Sequence, residues 1–157
     1  LAGEKLVRES NIEWAIVRTV LVFGATAGHS RSNIVLWVKK SLEEGKTIQV
    51  VNDQWRTPTL AEDLAMGCYL VASKKATGVY HISGEEMMTP YDIAMATARF
   101  FGLDLSLVQP TDSSTFKQPA VRPLKTGFDI SKARAVLGYA PRSFADGLAI
   151  LASQIQK

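Results

Sequence analysis

The run Glu13-Trp14-Ala15-Ile16-Val17-Arg18-Thr19-Val20-Leu21-Val22-Phe23 constrains the fold more than any other stretch of the chain. It is rich in β-branched residues, poor in polar ones and shows no polar alternation. A strand of that kind is covered on both faces, as in a parallel sheet. The spacing predicts one strand over 13–23, then a loop of small and polar residues over 24–32. Helical spacing follows at 33–42, where Ile34, Trp37, Val38 and Leu42 share a face and Gly45 marks the end. A short strand is predicted at 47–51.

Thr59, three residues before Glu62, makes the capping-box pattern, in which each side chain satisfies a free backbone N–H of the first turn. Leu60, Leu64, Cys68 and Val71 recur on one face of the helix it opens. A strand is predicted at 78–83. Thr89, Pro90 and Asp92 then serve as cap, first helical residue and first-turn acid of a helix that runs to Phe101 and stops at Gly102. A strand at 106–109, a helix at 131–137 ended by Gly138, and a last helix opened by Ser143 and Asp146 complete the order. Residues 1–10 read as the back half of a helix. Strands and helices alternate, so the class is α/β. The polar, Pro-bearing connection over 111–126 is long for a compact domain and points to function.

Composition removes several alternatives. The chain has 157 residues, 46% of them hydrophobic and 21% charged, enough for one domain with a core and unlike a disordered or disulfide-built chain. Its 18 Lys+Arg and 15 Asp+Glu give +3, scattered along the sequence, so no footprint for nucleic acid is expected. The lone cysteine, Cys68, excludes an internal disulfide and a Cys-based metal site, and is expected to pack as a small buried hydrophobe. His29 and His81 lie in different elements without a second ligand at zinc-like spacing, so no metal is expected; His81 is read as a hydrogen-bonded structural residue. Glu85-Glu86-Met87-Met88 reads as an exposed turn, and Trp14, Trp37, Phe100 and Phe101 as core.

The apolar runs are too short to span a bilayer, and the opening residues do not read as a signal peptide, so a cytoplasmic setting is expected. No strand is followed by Gly-x-Gly-x-x-Gly; the nearest cluster, Gly24-Ala25-Thr26-Ala27-Gly28, has the wrong spacing. There is no phosphate loop with Gly-Lys-Ser/Thr and no Gly-x-Ser-x-Gly elbow. The chain starts at Leu1 rather than Met, inside a helical stretch, and is expected to be a piece of something longer.

Four segments, taken in order, carry more. They are Leu1-Ala2-Gly3-Glu4; Ala15-Ile16-Val17-Arg18-Thr19 with Val22-Phe23-Gly24; Val50-Val51-Asn52-Asp53-Gln54 with Thr57-Pro58-Thr59 and Asp63-Leu64-Ala65; and Arg122-Pro123 with Asp129-Ile130-Ser131-Lys132-Ala133 and Leu137-Gly138-Tyr139-Ala140-Pro141. The set resembles the carboxyl-terminal half of the extended short-chain dehydrogenases, nearest the dTDP-4-dehydrorhamnose reductase branch.

That resemblance implies a Rossmann-like α/β fold of which residues 1–157 form the substrate-binding part. An absent amino-terminal half would carry the Gly-rich loop, the catalytic tyrosine and a lysine directly before Leu1. The implied reaction is hydride transfer from NAD(P)H, bound mainly by that absent half, to a keto-sugar carried on a nucleotide, with the tyrosine as general acid. No catalytic residue is then expected in this chain, which alone should be inactive.

The resemblance also places residues. Arg56 and Arg122 would grip the diphosphate, since a guanidinium offers a planar fork of donors at every relevant pH. Asn33 matches an Asn that reaches substrate in relatives, and as a helix opener it equally serves as a cap. Gln54 would bond base or sugar, or hold its turn; Asp53 is read as structural. Val22 and Phe23 would wall the nicotinamide, with ordinary core as the other reading of Phe23. The expected partner is a nucleotide-diphosphate sugar, with no nucleic acid and no membrane, in a homo-oligomer. An epimerase or dehydratase, a non-catalytic regulatory protein on the same scaffold, and an unrelated α/β domain stay open. Exposed apolar surface on the isolated piece predicts self-association.

Overall fold

The computed structural model describes residues 2–25, 33–115 and 123–155. In chain order the elements are α1 (Ala2–Arg8), β1 (Ala15–Arg18), β2 (Val22–Phe23), α2 (Ile34–Glu43), β3 (Ile48–Val51), β4 (Thr59–Leu60), α3 (Ala61–Ser73), β5 (Gly78–His81), α4 (Pro90–Phe100), β6 (Val108–Thr111), α5 (Ser131–Leu137) and α6 (Phe144–Ile155). The named strands pair in parallel: β1 with β5, β2 with β4, and β3 with β6. Parallel pairs need helical crossovers and covered faces, and the alternating α/β order provides both.

Three buried clusters follow from these pairs. Phe23, Val35, Leu60, Ile93, Phe144 and Leu148 pack under β2 and β4. Val38, Leu42, Val50, Ala94, Ala98 and Val108 join α2 and α4 to β3 and β6. Tyr80, Ile82, Ala133, Leu137 and Tyr139 join β5 to α5. Among the described residues no helix is long and apolar enough to cross a membrane.

The apolar run over 13–23 forms two strands rather than one. Leu21 takes a left-handed φ of 45°, and the chain changes partner there. Ile82 N–H donates to Arg18 O on one side of the break, and Thr59 N–H donates to Leu21 O on the other, at 2.9 and 3.1 Å. One covered-strand signal therefore serves two sheets.

The capping box expected at Thr59 is not formed. Leu60 is the N-cap of α3 and supplies no side-chain bond, because the Thr59 hydroxyl is buried and donates to Val20 O at 2.7 Å instead. The box at Thr89 and Asp92 is complete. At α6 the Ser143 hydroxyl accepts from Asp146 N–H at 3.1 Å.

Cys68 is exposed, against expectation. The inward face of α3 is Asp63, Gly67 and Val71, one residue off the face read from the apolar spacing. A Cβ on Gly67 would stand 2.4 Å from Ile82 Cγ2, so α3 meets β5's extension through this glycine and turns its neighbour outward. Trp37 and Phe100, expected in the core, are 41% and 43% exposed because Val35, Val38 and Leu42 take the inner face of α2 and Ile93, Ala94, Thr97 and Ala98 that of α4. The strand expected at 106–109 starts at Val108, after a tight turn over Leu105–Leu107 whose start is capped by Asp104. His81 stacks on Phe128, ring centroids 4.4 Å apart.

Candidate functional site

In parallel α/β sheets, ligands meet the protein beyond the C-terminal ends of the strands. Here the ends of β1 and β5 lead into segments 19–21 and 82–88, and residues 56–59 meet both, Thr59 bonding Val20 and Leu21 and Arg56 bonding Met88. Two contacts fix that crossing. Gly84 N–H donates to Thr59 Oγ1 at 3.4 Å, and a Cβ on Gly84 would stand 2.0 Å from Pro58 O, so only glycine fits where these backbones touch.

Residues 55 and 56 form the middle of a short irregular sheet. Trp55 bridges Lys125 in parallel and Arg56 bridges Met88 antiparallel. Trp55 N–H donates to Leu124 O at 2.6 Å, Thr126 N–H to Trp55 O at 3.1 Å, and Arg56 and Met88 exchange backbone bonds of 2.9 and 2.8 Å. Side chains alternate across such a strand, so Gln54 and Arg56 share a face. The Arg56 guanidinium donates to Gln54 Oε1 at 2.9 Å, to Trp55 O at 2.7 Å, and more weakly to Pro123 O and Leu124 O at 3.4 Å. These four acceptors orient the guanidinium.

Of the residues singled out in the sequence, Gln54 and Arg56 therefore come together. Arg122, like His29, lies outside the described residues; its chain neighbour Pro123 is the one whose carbonyl receives Arg56. Asn33 caps α2, its Oδ1 accepting from Leu36 N–H at 3.1 Å, while its Nδ2 donates to Gly24 O at 2.8 Å. It thus ties Gly24, just after β2, to the first turn of α2. Val22 is 39% exposed and Phe23 only 2%. The Phe23 ring meets Phe144 edge-on at 5.1 Å and closes on Gly147, where a Cβ would come within 2.7 Å of it. Asp53 accepts from Ser113 N–H and Oγ, pinning the turn after β6.

Sequence reasoning missed the buried polar group behind this strand. Phe128 N–H donates to Thr57 Oγ1 at 3.3 Å, Thr57 Oγ1 to Ser83 Oγ at 3.2 Å, and Ser83 Oγ to Gly84 O at 2.8 Å. Tyr139 closes the group by donating to Ser83 O at 3.1 Å. Burial pushes the Tyr139 phenol upward, and the Asp63 carboxylate adds to the shift. Asp63 is itself held by Arg142, whose guanidinium and backbone N–H both reach its carboxylate. A hydroxyl-rich stretch beside Arg56, Thr57-Pro58-Thr59, was the available signal, but hydroxyls carry no periodicity to show where they point. Glu85 and Glu86, read as an exposed turn, also have partners: Glu85 pairs with Arg134, which holds its carboxyl below the usual range, and Glu86 accepts from Phe144 N–H at 2.6 Å.

The family model described as the RmlD substrate-binding domain matches residues 1–157. A probable low-salt glycan biosynthesis reductase of Haloferax volcanii is 29% identical over 154 residues, covering 96% of this chain and 51% of the relative. The methionine adenosyltransferase 2 subunit beta of Pongo abelii is 33% identical over 138 residues, covering 84% of this chain and 41% of the relative. Among solved structures, a dTDP-4-dehydrorhamnose reductase of Clostridium acetobutylicum superposes with a TM-score of 0.88 at 27% identity, covering 99% of this chain and 53% of that one. The chain thus spans about half the length of the proteins it matches, or somewhat less.

Proposed function

The chain belongs to the RmlD substrate-binding-domain family, and from that premise we propose that it forms the nucleotide-sugar-binding part of an NAD(P)-dependent ketosugar reductase of the dTDP-4-dehydrorhamnose type. One observation carries this reading. Arg56 is held by Gln54 and by the carbonyls of residues 55, 123 and 124 at the C-terminal end of the parallel strands. These bonds orient the guanidinium, whose planar fork of donors matches diphosphate oxygens.

The division of labour follows. Arg56, with Arg122 from the neighbouring segment, neutralises and orients the diphosphate, Gln54 bonds the base or sugar, and Asn33 reaches the substrate from the start of α2. When bound, the nicotinamide supplies the hydride. Of the two residues expected at its ring, Val22 offers exposed surface and contributes contact only, whereas Phe23 is committed to the core. The sequence contains no Gly-rich dinucleotide loop, so the isolated chain should bind nucleotide without reducing a keto-sugar. The same reading puts the working protein in the cytoplasm as a homo-oligomer.

Calorimetric titration with dTDP tests the proposal. The 157-residue chain should bind, and Arg56→Gln should weaken binding tenfold to a hundredfold with its thermal midpoint nearly unchanged, as expected for loss of a charged hydrogen-bond donor. A wild-type chain with no affinity up to millimolar dTDP overturns the reading.

The similarity to methionine adenosyltransferase subunits favours a second reading, a non-catalytic regulatory protein on the same scaffold. In the longer protein, a Tyr-x-x-x-Lys motif ending next to Leu1 supports the reductase, and a substituted tyrosine supports the regulator.

A further inference from the structure

We propose that Thr57 is a positioning residue for the nucleotide site, setting the distance between Arg56 and the segment that follows position 122; this rests on the reading of Arg56 given above. Thr57 is 1% exposed, and two segments far from it in sequence meet on it. Its hydroxyl accepts from Phe128 N–H and donates to Ser83 Oγ. On its other side, Gly127 passes so close that an added Cβ would stand 3.0 Å from Thr57 Cγ2 and 2.3 Å from Met87 Cε. Hydroxyl and methyl therefore work together, one bonding the backbone at Phe128 and the other, with Met87, bounding the approach of Gly127.

The consequence for Arg56 is geometric. Thr57 is its chain neighbour, and Arg56 reaches the carbonyls of Pro123 and Leu124, a few residues before Phe128. The Phe128–Thr57 bond and the Trp55–Lys125 bridge form two ties between the same pair of segments. Removing one loosens the segment bearing the Arg56 acceptors, leaving the irregular bridge, the Arg56 side-chain bonds and the His81–Phe128 stack to hold it. Ser83 has a second partner in Gly84 O and Tyr139 anchors Ser83 O, so the far side of the chain of bonds stays fixed when Thr57 changes. Thr57 acts on the ligand only through Arg56 and its neighbours.

Thr57→Val keeps the β-branch and the volume and removes the hydroxyl, whereas Thr57→Ser keeps the hydroxyl. On the 157-residue chain, Thr57→Val should weaken dTDP binding about tenfold, the effect of losing one well-placed bond. It should also speed amide exchange at Thr126 and Phe128 at least tenfold while amides of α2 and α4 keep their wild-type rates. Thr57→Ser should restore both toward wild type. Unchanged affinity in Thr57→Val, or exchange that rises equally in every element, overturns the role of Thr57 and leaves the reading of Arg56 standing. A wild-type chain that binds no dTDP overturns that reading, and the role of Thr57 in binding falls with it.

Discussion

Tyr139 shows how far a single side chain depends on its surroundings. It is 2% exposed, donates to Ser83 O and has its phenol pushed above the ordinary value first by burial and then by Asp63. The unfolded phenol ionises near pH 10, while the folded one stays protonated to higher pH. Its contribution to stability is therefore complete below about pH 10 and is lost as pH rises beyond it. Tyr139→Phe should cost about 1 kcal/mol at pH 7 through the missing bond. That difference should shrink between pH 10 and 11 in urea unfolding; a constant difference across this range would show that the phenol does not stay protonated in the fold. Sequence placed Tyr139 in a family motif but gave no view of Ser83, 56 positions away.

Among elements, α4 has a start that was fully legible, both halves of its capping box included. Thr89 Oγ1 accepts from Asp92 N–H at 3.0 Å and Asp92 returns the bond to Thr89 N–H at 2.9 Å. Every partner lies within three residues, so local chemistry suffices. Thr89→Ala should lower stability by about 1 kcal/mol, read as a shift in urea midpoint by tryptophan fluorescence. A midpoint equal to wild type would mean that α4 is held by packing alone. Helix α3 is the contrast. Thr59 and Glu62 present the same pattern, yet the hydroxyl is drawn into the interior by Val20 O and the box does not form. A Thr three residues before an acid gives a cap where its hydroxyl stays with its own first turn and a core tie where a neighbouring backbone carbonyl competes for it.

On the scale of the whole molecule, α1 stands apart. It has no buried residue, its Leu6 is 71% exposed, and nearby Ile12 is 70% exposed. It is held to β1 by the paired hydrogen bonds from Arg18 to Glu4, at 2.8 and 2.5 Å. Among the described residues β1 pairs with β5 on one edge only, and an uncovered edge beside apolar side chains invites association. Light scattering of the 157-residue chain should show mass rising above 17.1 kDa with concentration in the micromolar range. Leu6→Glu with Ile12→Glu should reverse the rise. A constant monomer mass for the unsubstituted chain would contradict it.

The sequence by itself determined the α/β class, the helix order and the turn glycines Gly45, Gly102 and Gly138, each with positive φ after its helix. These features are set by neighbours in the chain and by a periodicity that needs no distant partner. The tertiary structure alone decided where the 13–23 run would break, which face α3 would turn inward, and that Thr57, Ser83 and Phe128 would share one line of hydrogen bonds. Those outcomes hang on contacts between residues 26 to 71 positions apart and on the room left by Gly67 and Gly84. Space of that kind exists only once separate elements have been brought together, so no local pattern records it.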